Sequence, residues 1–153
     1  CALADAKGYA RPICMQNLYN LVQREEEVEM APLCLEYGVG FTPYSPLARG
    51  LLSGTRTRGG GGETERAKTD RIVDRNPPRD SDFAIVDKVV ALAADKGVSP
   101  SLAWLLHKPF MAGPVIGSTE PEQIADAMKA AEVTLTAEEM AHLEDGYQFR
   151  PAA

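Results

Sequence analysis

The sequence predicts an α/β fold of parallel strands joined by helical crossovers, with about three strand–helix units visible in 153 residues. Two observations carry this. Short apolar runs of strand type alternate with longer stretches whose apolar residues recur at helical spacing. Strands separated by helices in this way run parallel, because each crossover returns the chain to the same end of the sheet. Three strands with no obvious first member make either a small open sheet or part of a larger barrel.

The elements follow in order. Ala2 to Tyr9 is helix-like, and a start at Cys1 rather than Met reads as a cut terminus. Arg11 to Leu18 reads as a buried first strand. Glu25 to Tyr37 shows helical periodicity through Val28, Pro32, Leu33 and Leu35. Acidic residues between Gln23 and Glu29 favour the positive end of that helix, and Gly38 stops it. Val39 to Tyr44 alternates as a second strand. Ala48 to Arg79 has little apolar content, holds Gly59 to Gly62 and ends at Pro77-Pro78, so it reads as a long, mobile surface loop. Asp80 or Ser81 caps an amphipathic helix carrying Phe83, Ile85, Val86, Val89, Val90, Leu92 and Ala93, which Gly97 ends. Ser99-Pro100 opens a short helix, Ser101 to His107. Met111 to Ile116 reads as a third strand ending in Gly117-Ser118-Thr119. Thr119 and Glu122 have capping-box spacing, for a helix with Ile124, Ala127, Met128 and Ala131 on its inner face. Thr136 and Glu139 repeat that signature for the last helix.

Composition narrows the classes of function. Apolar content of 44% and charged content of 25% are those of a globular domain, and no apolar run approaches a membrane span. Three cysteines without close pairing exclude a disulfide framework or zinc site and favour free thiols in a reducing, cytoplasmic setting. The net charge of −6 hides an asymmetry: Arg49 to Arg79 carries eight basic and four acidic residues. An acidic chain with one basic loop suits a small anionic ligand better than nucleic acid.

Ligands of parallel α/β folds gather at the carboxyl ends of the strands. The first strand ends near Gln16, whose amide donates and accepts at once, as recognition of a carboxamide requires. The second ends at Tyr44 and Ser45 in the run VGFTPYSPLARGLLSG. Tyr44 offers a flat face for stacking, Ser45 and the amides from Leu47 to Gly50 offer donors to phosphate, and Arg49 adds a forked cation. A plain strand-to-helix turn with an incidental tyrosine accounts for that run equally well. The third strand ends before a helix N-terminus, where Gly117 to Thr119 either meet a phosphate or simply cap the helix. No nucleophile, base and orienting group stand together, and His107 and His142 read as surface or structurally satisfied. Binding is better supported than catalysis.

Four stretches give the chain a resemblance to the C-terminal half of an aldo-keto reductase, in the branch related to potassium-channel β subunits and bacterial aldo-keto reductases. They are Met15 to Glu25, Pro32 to Gly54, Gly62 to Asp70 and Gly113 to Met128. The resemblance implies a (β/α)8 TIM barrel, here partial, that binds NADP(H) at its carboxyl face for hydride transfer to or from a small carbonyl substrate. It implies that Gln16 holds the nicotinamide carboxamide and Tyr44 stacks on the nicotinamide ring. Ser45, Pro46, Leu47 and Gly50 fall in the pyrophosphate loop, and Arg66 lies near the phosphates. Gly117, Thr119, Gln123 and Asp126 fall around the adenosine and its 2′-phosphate. The family's catalytic Asp, Tyr, Lys and His belong to the half that this chain does not match; neither Tyr19 nor Tyr44 is that Tyr.

The sequence reading is therefore the cofactor-binding part of an NADP-dependent reductase, inactive alone. The alternative is a non-catalytic nicotinamide-nucleotide-binding regulatory module like the channel β subunits. A sugar-phosphate barrel is a third reading and would show no nicotinamide preference. No nucleic acid or membrane partner is expected. A partial barrel keeps open strand edges. The isolated chain should therefore self-associate or bind an apolar dye, and native mass spectrometry showing a monomer that takes up no dye would contradict this.

Overall fold

Two short parallel strands, β1 (Cys14–Met15) and β2 (Gly40–Phe41), anchor the computed structural model, which describes residues 1–58, 62, 68 and 77–150. Cys14 pairs with Gly40 and Met15 with Phe41; farther along, Leu18 stands opposite Tyr44. The third predicted strand lies on the other side of β2. Phe41 donates its amide to the Phe110 carbonyl (3.1 Å), Ala112 to Phe41 (2.9 Å) and Val115 to Pro43 (2.8 Å). Only Met111 pairs with Phe41 as a regular bridge, so Met111 to Ile116 follows β2 without completing a strand. The described residues thus form a small α/β unit in which three segments lie side by side, parallel and in chain order.

Among the described residues six α-helices accompany them: α1 (Ala2–Lys7), α2 (Met30–Tyr37), α3 (Asp80–Lys96), α4 (Pro100–Leu106), α5 (Pro121–Lys129) and α6 (Ala137–Glu144). Tight 3-10 turns occupy Glu25–Glu27, Ala48–Ser53 and Ala130–Glu132. Gly38 and Gly97 stop α2 and α3 in the left-handed conformation expected of them. Thr136 and Glu139 form the expected reciprocal cap on α6, at 3.2 and 2.8 Å. No single helix among the described residues is long and apolar enough to cross a membrane.

Several local expectations fail, each for a physical reason. The first strand is short and exposed rather than buried, with Ile13 84% exposed, because β1 pairs only with β2 among the described residues. The acidic residues before α2 do not serve its dipole; Glu25 and Glu27 turn inward to meet cations and hydroxyls. Neither Asp80 nor Ser81 caps α3. Arg79 is the capping residue, and Asp82 reaches back to accept its amide at 2.7 Å. Thr119 does not cap α5, which starts on Pro121 after Glu120; Gln123 instead accepts from the Thr119 amide. The apolar face of α5 is largely open, with Ile124 55% and Met128 67% exposed. Ala48 to Arg79 is not wholly a surface loop, since Leu51 and Leu52 are core residues; Gly59 to Gly61 and most of the stretch from Glu63 to Asn76 lie outside the described residues.

Tyr19, fully buried, is the hub of the core. Its ring stacks on Trp104 at 5.4 Å and meets Phe41 and Phe110 edge-on at 5.7 and 5.6 Å. Its hydroxyl donates to Glu27 at 2.5 Å. Glu27 also accepts from Arg24 at 2.7 Å, and Arg24 reaches Glu144 at 3.2 Å. Lys108 joins Glu144 at 2.7 Å and sits 4.4 Å from the centre of the Trp104 ring, whose Nε1 donates to Glu144 at 2.8 Å. Burial and the neighbouring Glu27 push the Tyr19 hydroxyl's pKa strongly upward. Burial alone would raise the Glu27 and Glu144 carboxyls. Donors from Arg24 and Tyr19 on the first, and from Lys108 and Trp104 on the second, outweigh it and hold both below the usual carboxylate value.

The sign of the resulting pH dependence follows from those directions. A carboxyl held low in the folded state contributes stability above its unfolded pKa and loses it as pH falls through the folded one. In urea unfolding followed by emission of the sole tryptophan, Trp104, the midpoint should hold between about pH 7 and 5 and fall below about 4.5. Glu144→Ala should lower stability at neutral pH by about 2 kcal/mol and flatten that acid limb.

Candidate functional site

The three parallel segments place their carboxyl ends along one edge. Asn17 accepts from the Tyr44 amide at 3.0 Å, and Val115 donates to Pro43 at 2.8 Å, so the ends of all three lie in neighbouring register. Gln16 follows β1 directly and is exposed. Tyr44 follows β2 with 42% of its surface open, an uncommon exposure for a ring at the end of a buried strand. Gly117 and Thr119 follow the third segment, also exposed.

The loop after Tyr44 has an unusual backbone. Ser45, Ala48 and Arg49 all adopt positive φ (54°, 46° and 57°), and Gly50 follows at 90°. Non-glycine residues in this region carry strain and cluster at functional sites. Pro46 is buried and Leu47 packs on the core, which fixes the loop at its middle. Ala48 donates back to the Ser45 carbonyl at 2.9 Å, and Gly50 and Leu52 both donate to the Leu47 carbonyl, at 3.0 and 3.2 Å. The Gly50 carbonyl accepts from Ser53 Oγ and Thr55 Oγ1, each at 2.9 Å. Ala48, Arg49 and Gly50 are thus left-handed in succession, and the loop closes on itself through the amides of Ala48, Gly50 and Leu52.

Beside the loop lies a cleft of about 190 Å³. Tyr44, Ser45, Ala48 and Arg49 form one wall, Leu18 and Gln23 another, and Arg56, Asp82 and Arg150 complete it. Three arginines, Arg49, Arg56 and Arg150, line it with one acidic residue, Asp82, which is ion-paired to Arg150; Arg56 Nε donates to the Arg49 carbonyl at 2.9 Å. Gln23, Asp82 and Arg150 escaped the sequence reading. Asp82 looked like part of an ordinary first helical turn, and Arg150 lies far away in sequence; only the Arg56 charge had a visible signal, in the basic run.

The predicted site residues do not all converge on this cleft. Tyr44 and Ser45 line it. Gln16, Gly117 and Thr119 stand at the strand ends outside it, and Gln123 and Asp126 lie beyond them on α5. Gln123 Oε1 is occupied by Ser118 Oγ (3.1 Å) and the Thr119 amide (3.2 Å), and Asp126 by Lys129 at 2.8 Å. Arg66 lies outside the described residues.

Parallel strand ends with an exposed aromatic and a left-handed loop beside them are the part of an α/β fold where ligands gather. The chain belongs to the aldo/keto reductase family, whose model matches residues 2–147. It is 41% identical over 147 residues to a Schizosaccharomyces pombe protein provisionally named an aryl-alcohol dehydrogenase, covering 94% of this chain and 41% of that protein. It is 39% identical to the versiconal hemiacetal acetate reductase of Aspergillus parasiticus, covering 95% and 43%. An uncharacterised oxidoreductase of Bacillus subtilis is 31% identical, covering 94% and 43%. The chain therefore spans less than half the length of these relatives.

Gly54 tests how closely the loop is fitted to its surroundings. Its φ is +73°, and an added Cβ would stand 2.9 Å from Val90 Cγ2 on α3. Gly97 has a similar φ of +69° but open space around it. Gly97→Ala should cost about 1–2 kcal/mol from backbone strain alone. Gly54→Ala should cost clearly more, read as a larger drop in urea midpoint.

Proposed function

We propose that this chain is the coenzyme-binding portion of an NADP-dependent aldo-keto reductase, contributing three units of its (β/α)8 barrel. The exposed Tyr44 ring beside the strained Ser45–Gly50 loop is the observation that carries this reading. The residues fit a nicotinamide dinucleotide on their own chemistry. A half-open aromatic face suits a planar ring, and Arg49 beside it suits a diphosphate. Gln16, exposed at the end of β1, supplies both donor and acceptor for a carboxamide. Gly117 and Thr119 offer the third contact along the edge, for the adenosine end.

The bound coenzyme supplies or accepts hydride. The chain's residues would hold it in place: Tyr44 would offer its face to the nicotinamide ring, Gln16 would bond the carboxamide, and the Ser45–Gly50 loop with Arg49 would sit beside the diphosphate. The acid that would protonate a carbonyl oxygen has no match in this chain. Tyr19 is buried against Trp104 and donates to Glu27, which speaks against its serving as that acid.

Trp104 is fully buried beneath Tyr19, so nicotinamide emission is the appropriate reporter of binding. NADPH should bind the chain with enhanced nicotinamide emission, and Tyr44→Ala should weaken it about tenfold. Aldehyde reduction by the chain alone should be undetectable. Failure to bind NADPH would refute the coenzyme reading, and robust turnover would show that the proton donor lies within these residues. Binding without turnover in the longer protein as well would favour a regulatory module.

A further inference from the structure

Asn20 is fully buried and unaccounted for by the coenzyme contacts. Its Oδ1 accepts from the Val22 amide at 3.1 Å. A backbone amide only donates, so this bond fixes the side chain's orientation and turns Nδ2 the other way. Nδ2 spends its two hydrogens on Gln23 Oε1 at 2.9 Å and on the Ser45 carbonyl at 3.0 Å. The backbones of Asn20 and Gln23 also exchange hydrogen bonds, at 3.0 and 3.1 Å, which makes the platform behind that amide rigid.

The Ser45 carbonyl is where this matters. It takes the Asn20 amide from one side and the Ala48 amide from the other. Ser45 is the first of the left-handed residues in the loop, and Ala48 and Arg49 the next. A strained loop persists only if its surroundings over-determine it. Among the described side chains that bond to the loop, Asn20 is the one rooted in the β1 end, so it ties the two strand ends to each other. Ser at position 20 would keep the local bond to Val22, as serine does in turns, but falls short of Ser45.

We propose that Asn20 is a positioning residue that holds the Ser45–Gly50 loop in its left-handed, coenzyme-ready form; its effect on binding rests on the NADP(H) reading above, whereas its effect on the loop does not. Two variants test it, Asn20→Ser and the isosteric Asn20→Asp, which keep an acceptor for Val22 and lose the neutral amide donor. Hydrogen exchange at the Ala48 and Gly50 amides should speed up about tenfold in both variants, with Trp104 emission unchanged. NADPH affinity should fall about tenfold. Affinity for adenosine 2′,5′-bisphosphate, which engages only the far end of the edge, should stay constant. A simple loss of stability would weaken both ligands together. Unchanged exchange would overturn the proposal, as would equal weakening of the two ligands or loss of the native Trp104 emission in both variants. If the unaltered chain fails to bind NADPH, the coenzyme reading falls while the exchange result still decides the role of Asn20.

Discussion

The structure depends on the neutralisation of charge around one aromatic stack. Tyr19 and Trp104 lie against each other with no solvent exposure, yet each carries a polar group that needs a partner. Glu27 and Glu144 provide those partners and thereby bring two carboxylates to half-buried positions at the margin of the core. Arg24 and Lys108 balance them, and both cations also lie over the Trp104 ring, at 5.6 and 4.4 Å from its centre. Removing any one member leaves a charge or a donor unsatisfied in a poorly solvated place. The residues come from the turn after β1, from α4 and the segment behind it, and from the end of α6. Three regions distant in sequence are thus held to one point.

That point adjoins the edge formed by the strand ends. Tyr19 and Asn20 are adjacent. One faces inward to Trp104 and Glu27, and the other reaches across to Ser45. The rigidity of the core therefore passes by a single peptide link to the loop after β2. The energetics of that loop are balanced. Three left-handed non-glycine residues cost roughly 1–2 kcal/mol each. Burial of Leu51 and Leu52 immediately after them returns roughly 1.5–3 kcal/mol each, a comparable total. The core leucines and the strained residues are parts of one device.

Much of the fold was legible in the residues. α3 and its glycine stop appear where the pattern puts them, α2 keeps its glycine stop but begins only at Met30 after a 3-10 turn at Glu25–Glu27, and the Thr136 cap has the geometry its spacing implies. Parallel pairing followed from the alternation. The misreadings have a common origin in long-range pairing. Glu25 and Glu27 looked like solvated dipole partners because Lys108 and Tyr147, which they meet, stand far along the chain. Leu51 and Leu52 looked like loop because their neighbours on α3 come only after a long interval. The exposed faces of Ile124 and Met128 were read as inner because periodicity reports an apolar face and not whether anything covers it. At the site, Tyr44 and Ser45 were visible from local pattern. Gln23, Asp82 and Arg150 were not, since a carboxamide, a first-turn acid and a terminal arginine carry no local mark of where they converge.

The succession of Ser45, Ala48 and Arg49 in a region that glycine occupies more easily has a consequence for recognition. Glycines would relieve the strain in the folded chain, but they would also widen the set of shapes open to the loop before it meets anything. Side chains there narrow that set in advance. The entropic penalty of ordering is borne during folding, so a guest docking at the rim would meet a template already cast and would keep more of its contact energy as affinity.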